Sequence, residues 1–169
     1  LPEIKKIARN AIAIQLAGIS KLERCINDDF VRVIDLILNS KGRLIVAGIG
    51  KSANIANKIV ATLNSTGQPA VFLHAADAMH GDLGNVQQGE IVMCISKSGN
   101  TSEVKTLVTY VKNMGNKIIA LTGNSDSFLA KASDLILDVS VEKEACPNNL
   151  APTTSTTAQL VMGDTIAIS

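Results

Sequence analysis

Two hydrophobic rhythms divide the chain. From about Pro2 to Asn27, Ile4, Ile7, Ala8, Ala11, Ile14 and Leu22 recur at the spacing of one helix face. A second helix is predicted from about Asp29 to Leu38, where Phe30, Val33, Ile34 and Ile37 form a stripe that Lys41-Gly42 ends. Beyond it, short apolar runs predict strands near 43–49, 70–74, 90–96, 117–122 and 134–140. Helical patterns fall between them near 52–64, 101–114 and 126–131, with a loop and short helix near 76–84 and a final helix from Thr154 to Ser169. Five strands joined by helical crossovers imply an α/β fold, a three-layer αβα sandwich on a five-stranded parallel sheet of flavodoxin-like order. In such sheets ligands bind beyond the carboxyl ends of the strands, at the switch point. No repeat, charge block or low-complexity linker interrupts the pattern, so a single domain over 1–169 is expected, with helices over 1–40 and the sheet core over 41–169.

Composition narrows the class. Apolar residues make up 46% and aromatics 2%, so the core is built from Ile, Val, Leu and Ala, which suits a parallel sheet covered by helices. A formal net charge of +1 argues against a large electrostatic footprint for nucleic acid. Cys25, Cys94 and Cys146 form no CxxC pair and no metal spacing, and read as reduced cytoplasmic thiols. No apolar run approaches the roughly 18–20 residues of a membrane span, and the first residues carry no signal-peptide core. A cytoplasmic enzyme or binding domain is expected, with no metal, cofactor, nucleic-acid or membrane partner. The last helix stops at Ile168-Ser169 without a stop signal, which suggests that the natural chain continues.

The chemistry concentrates at the ends of two strands. Ile45-Val46-Ala47-Gly48-Ile49-Gly50-Lys51-Ser52 and Ile91-Val92-Met93-Cys94-Ile95-Ser96-Lys97-Ser98-Gly99-Asn100-Thr101-Ser102-Glu103 each read as strand, small-residue turn and helix start. Such turns present backbone N–H groups and the positive end of a helix dipole, where phosphate binds. Two of them on one sheet edge suggest a phosphorylated small molecule. A Walker A reading of the first turn fails, because that motif needs a glycine where Ile45 stands. A dinucleotide fingerprint, Gly48-x-Gly50-x-x-Ala53, competes, with Asp77 as the ribose acid it would need. A plain glycine turn is the bland reading; Lys51 weighs against it, since a lysine at a helix start opposes the dipole unless an anion is present. Capping of the following helix accounts for one hydroxyl of the second turn and poorly for four.

Ser96-Lys97-Ser98-Gly99-Asn100-Thr101-x-Glu103 resembles the phosphate loop of the sugar isomerase (SIS) domain. Gly50-Lys51-Ser52, Ser65-Thr66-Gly67, His80-Gly81-Asp82-Leu83-Gly84, Lys143-Glu144-Ala145-Cys146-Pro147 and Leu150-Ala151-Pro152-Thr153-x-Ser155-Thr156-Thr157 resemble the arabinose 5-phosphate isomerase family, in order, from about Gly42 onward. The resemblance implies interconversion of D-ribulose 5-phosphate and D-arabinose 5-phosphate without a redox cofactor, feeding synthesis of Kdo for lipopolysaccharide or capsule. It also implies a phosphate site at Ser52, Ser96, Ser98 and Thr101, with backbone help from Gly50, Lys97 and Gly99 and added contacts from Ser155 and Thr156. The matching catalytic candidates are Lys51, His80, Glu103 and Glu144.

Aldose–ketose isomerisation opens a ring, moves a proton between C1 and C2, and stabilises an enediolate-like intermediate. A carboxylate can take and return that proton on one face; Glu144 is preferred here over Glu103. Lys51 would place positive charge where the enediolate oxygen develops, and His80 titrates in the range suited to ring opening. Each has a duller reading: Glu103 as complement to a helix dipole, Glu144 as part of the charge run Val141-Glu142-Lys143-Glu144, His80 as a structural turn.

This sequence departs from its relatives in places. Lys97 stands where the family commonly has a neutral polar residue, which adds charge near the phosphate and is expected to tighten binding. Asp77 stands where relatives often carry glutamate. The family's Ser-His-Pro-Gly-Gly segment and its paired CBS domains do not occur in these 169 residues. The competing function is a phosphosugar- or nucleotide-sugar-sensing module without turnover. With no CBS domains, feedback by CMP-Kdo is expected at the isomerase domain itself. The apolar surface of the first helix exceeds what a three-layer sandwich covers, so a homodimer or homotetramer is expected.

Overall fold

The computed structural model describes residues 1–169. Its strands are β1 (Leu44–Gly48), β2 (Ala70–His74), β3 (Ile91–Ser96), β4 (Lys117–Thr122) and β5 (Leu135–Asp138), all parallel in the order β2-β1-β3-β4-β5. This is the flavodoxin-like order that the alternation predicts. Leu44 pairs with Ala70 on one side and Ile91 on the other, so β1 and β3 are central and wholly buried. That double burial is why they read as unbroken apolar runs.

Seven helices surround the sheet: α1 (Pro2–Ser20), α2 (Asp28–Leu38), α3 (Lys51–Thr66), α4 (Ala75–Ala78), α5 (Ser102–Asn113), α6 (Phe128–Ala132) and α7 (Thr154–Ile168). On one face α2, α3 and α7 pack Val33, Ile59, Leu63 and Met162 against Val46, Met93, Ile119 and Leu137. On the other, α4, α5 and α6 pack Ala78, Leu107, Val108 and Leu129 against Ile45, Val92, Cys94 and Ala120. Burying Ile59 or Leu63 completely contributes about 2 kcal/mol each. No helix is long and apolar enough to cross a membrane.

The predicted first helix is interrupted. It stops at Ser20, and Lys21–Cys25 winds as a tighter 3₁₀ turn. The tighter winding lets Leu22 enter the core beside Phe30 and Val139. Asn27 then adopts an extended backbone and caps α2, its Oδ1 accepting from the N–H of Asp29 at 3.0 Å and Phe30 at 3.2 Å. Apolar spacing alone does not reveal that cap.

Helix α1 lies outside the sandwich against α7. Gly18 is buried there, and Thr157 Oγ1 donates to Gln15 Oε1 at 2.8 Å. Residues 1–10 are all exposed, Ile4 and Ile7 among them.

At the amino ends of the strands, Arg43 Nε lies 2.5 Å from Glu90 Oε1, and Asn116 Nδ2 donates to the carbonyls of Gln87 at 2.7 Å and Glu90 at 2.9 Å. Burial pushes the Glu90 carboxyl up, but hydrogen bonds from Arg43 and the Gln87 N–H outweigh it and hold the group below its usual range. This clasp ties together the starts of β1, β3 and β4.

Candidate active site

Strand order reverses between β1 and β3, so the loops leaving their carboxyl ends part and open a gap. A crevice of about 280 Å³ fills that gap. Its walls come from Ile49, Lys51 and Ser52 at the start of α3, from Ser96, Lys97, Ser98 and Thr101 after β3, and from Pro152, Ser155, Thr156 and Gln159 around α7. The two turns singled out in the sequence therefore face one another.

The first turn depends on Gly50, whose φ of 59° and ψ of −128° suit a residue without a side chain. It delivers Lys51 and Ser52 into the first turn of α3, which has no side-chain cap and no acidic residue. Ser52 Oγ donates to Gln159 Oε1 at 3.2 Å.

The second turn is braced from below. Ser96 Oγ accepts from the Gly99 N–H at 3.0 Å, Gly123 N–H donates to the Lys97 carbonyl at 3.2 Å, and Leu129 N–H donates to the Gly99 carbonyl at 3.0 Å. Gly99 has φ 63°, and a Cβ there would collide with the Ser127 side chain. Asn100 Oδ1 accepts from the Phe128 N–H at 3.0 Å. Thr101 is the N-cap of α5, yet its hydroxyl caps nothing: Oγ1 is buried and has no hydrogen-bond partner. A buried hydroxyl without a partner is destabilising unless a ligand completes it. Capping chemistry does not explain this residue.

Glu144 closes the third side. Its side chain is 0% exposed, and its carboxylate accepts from Lys97 Nζ at 2.7 Å, Thr153 N–H at 2.8 Å, Thr153 Oγ1 at 3.1 Å, Ser155 N–H at 3.1 Å and the Ser155 hydroxyl. Burial raises its proton affinity, but the hydrogen bonds from Lys97, Ser155 and Thr153 prevail and bring the pKa down from 4.5 to about 2. The N-terminus of α7 thus has an internal anion, whereas α3 and α5 begin at the crevice with no side-chain cap. Glu144 is no member of a solvated charge run; Glu142, paired with Lys21, is.

The fold brings Lys51, Ser52, Ser96, Lys97, Ser98, Thr101, Ser155 and Thr156 to one crevice, with Gly50 and Gly99 shaping its turns. Glu144 lies one hydrogen bond behind the lining, through Lys97 and Ser155. Glu103 and His80 are not among the lining residues. Glu103 sits in the first turn of α5, held below its usual pKa by its own backbone N–H and the Ser102 hydroxyl. His80 is exposed in the loop after α4, its N–H donating to the Asp77 carbonyl. The dinucleotide reading loses its ribose acid: Asp77 lies 3.4 Å from His74 Nδ1 and outside the crevice. Sequence reasoning missed Ile49, Pro152 and Gln159. For Gln159 a signal existed: a lone amide among Ala158, Leu160 and Val161, four positions from Ser155, on the same side of a helix.

The chain has relatives among known proteins. The family model described as SIS domain matches residues 36–169. A Haemophilus influenzae protein named "Probable arabinose 5-phosphate isomerase" is 51% identical over 164 residues, covering 97% of this chain and 49% of the relative. "Arabinose 5-phosphate isomerase KdsD" of Pseudomonas aeruginosa is 47% identical over 162 residues, covering 96% and 50%. The chain thus spans about half the length of the curated relatives it matches. Among solved structures, an E. coli CFT073 protein in complex with arabinose 5-phosphate superposes with a TM-score of 0.95 at 34% identity, covering 99% of this chain and 89% of that one. By the match over residues 36–169, the chain belongs to the SIS domain family.

Proposed function

We propose that this domain interconverts D-ribulose 5-phosphate and D-arabinose 5-phosphate through an enediolate. The observation that carries the reading is the unpartnered Thr101 hydroxyl, buried where the uncapped starts of α3 and α5 converge. A phosphate seated there would accept from the Thr101 and Ser98 hydroxyls, from the Ser52 N–H, and from the other first backbone N–H groups of both helices; the single Ser52 hydroxyl proton goes to Gln159. Gln159 and the Glu144-bonded Ser155 hold the opposite wall. Lys51 would supply the positive charge that an enediolate oxygen requires. Glu144 is our choice for the proton shuttle, with Glu103 as its competitor and His80 as the group for ring opening.

Incubating the protein with ribulose 5-phosphate and assaying for arabinose 5-phosphate tests the reading. Turnover supports it. Tight sugar-phosphate binding without turnover would replace it with the sensing module.

We further propose that the product supplies Kdo synthesis for lipopolysaccharide or capsule in the cytoplasm, and that CMP-Kdo, an anion bearing a sugar acid, occupies the same cradle as a feedback ligand. Calorimetry that detects no heat of CMP-Kdo binding at millimolar concentration would remove that ligand. The exposed apolar residues of α1, Ile4, Ile7, Ile12 and Leu16, support a homo-oligomer, dimer or tetramer.

A further inference from the structure

Glu144 stands directly behind the crevice, yet five donors from the protein itself already occupy its carboxylate, so a substrate would find no acceptor position free. The resolution lies in how unequal its five donors are. Four come from Thr153 and Ser155, at the N-cap and in the first turn of α7. The fifth, Lys97, comes from the loop after β3 and lines the crevice itself. Its side chain is 49% exposed, against 0% for Glu144. A half-exposed ammonium on a flexible stem has three rotatable donors and exchanges partners readily. Its nearest rival acceptor would be a phosphate dianion against the neighbouring Ser98 and Thr101, which carries more charge than the single carboxylate.

We propose that Lys97 is a phosphate-actuated latch on Glu144: it holds the carboxylate until a sugar phosphate in the crevice draws its ammonium away, which frees one acceptor position on Glu144 for the substrate. The proposal rests on the reading of the crevice as a phosphate site. Lys97 is then a positioning residue that acts through Glu144, and it makes phosphate recognition a condition for proton transfer. The charged or titratable groups around Glu144 are Lys97 from the β3–α5 loop, Lys51 across the crevice on α3, and Lys143 and Cys146 on its own loop. Of these, Lys97 is the one hydrogen-bonded to it. Removing that bond leaves burial, the strongest influence on this group, less opposed, so proton affinity rises.

The test uses inorganic phosphate and protein labelled with ¹³C at the glutamate carboxyl carbons, with the Glu144 signal assigned through Glu144→Gln. Amide signals of Ser98 and Thr101 report whether phosphate binds. At mildly alkaline pH, where inorganic phosphate is mainly the dianion, saturating phosphate is expected to shift the Glu144 carboxyl carbon signal of the natural protein as the Lys97 hydrogen bond is lost. In Lys97→Met, which keeps the aliphatic stem beside Gly123, the signal is expected to stand displaced already and to move far less on phosphate addition. Lys97→Arg should restore the phosphate response. If phosphate moves the Ser98 and Thr101 amides but leaves the Glu144 carbon signal unchanged, the latch is wrong and the crevice reading stands. If phosphate moves neither amide, the crevice reading falls and the latch falls with it.

Discussion

Ser52 and Gln159, 107 positions apart, meet across the crevice, Ser52 Oγ donating to Gln159 Oε1 at 3.2 Å. The bond ties the first turn of α3 to the second turn of α7 and fixes the direction of a hydroxyl on the crevice wall. Gln159→Leu preserves volume and burial but unties from α7 the first turn of α3, which lines the crevice. The expected result is a KM for sugar phosphate raised roughly fivefold, equivalent to about 1 kcal/mol. The melting temperature, followed by circular dichroism, should change little.

Thr101→Val removes a hydroxyl that has no partner in the protein. Stability should therefore stay within about 0.5 kcal/mol or rise. Sugar-phosphate affinity should fall about tenfold or more, the loss of a hydrogen bond to a charged group. Calorimetry and a denaturant titration of the same variant read both quantities. Weaker folding with unchanged affinity would contradict the assignment.

The Glu144 carboxyl has a folded pKa of about 2 against an ordinary 4.5, so its contribution is complete above the unfolded value. As pH drops below 4.5 that contribution declines, and it is lost as the folded value near 2 is passed. The full contribution is about 3 kcal/mol. Urea midpoints should show Glu144→Gln clearly weaker than the natural protein near neutrality, with the gap narrowing in acid. A gap independent of pH would mean that shape rather than charge sets the loss.

The two carboxylates separate kinetically. If Glu144 moves the proton, Glu144→Gln should lower kcat by about a hundredfold or more. Glu103→Gln should then leave most of kcat, since Glu103 lies outside the crevice. The reverse pattern would transfer the role to Glu103.

Replacing Ile4 and Ile7 by Asp alters exposed positions on the free half of α1 and should leave the fold of the protomer intact. Light scattering is expected to show the natural protein as an oligomer and this double variant as a smaller species. An unchanged mass would place the subunit contact elsewhere.

Much of this architecture was legible in advance because parallel strands announce themselves by length and apolar continuity. β2, expected over 70–74, spans Ala70–His74, and the expected strand near 117–122 spans Lys117–Thr122. The two crevice turns were legible too, since Gly50 and Gly99 mark backbone that other residues avoid. The break after Ser20 was not, because Leu22 keeps the helical rhythm while the backbone beneath it tightens. The Lys97–Glu144 bond spans 47 positions and leaves no local trace. Charge pattern alone leaves Glu144 one of several charges in a row; the resemblance of Lys143-Glu144-Ala145-Cys146-Pro147 singles it out, and burial separates it from Glu142. Gln159 was obscured because one amide among apolar neighbours carries little weight in a hydrophobic pattern.

The Arg43–Glu90–Asn116 clasp sits at the opposite end of the strands from every residue of the crevice. Damage to the molecule should therefore sort by position along the strand axis. A saturation mutagenesis map would carry two poles: substitutions around Glu90 would deplete the folded protein, whereas those around Thr101 would leave abundant but idle protein. Between the poles, the interior of β3 would tolerate neither kind of change.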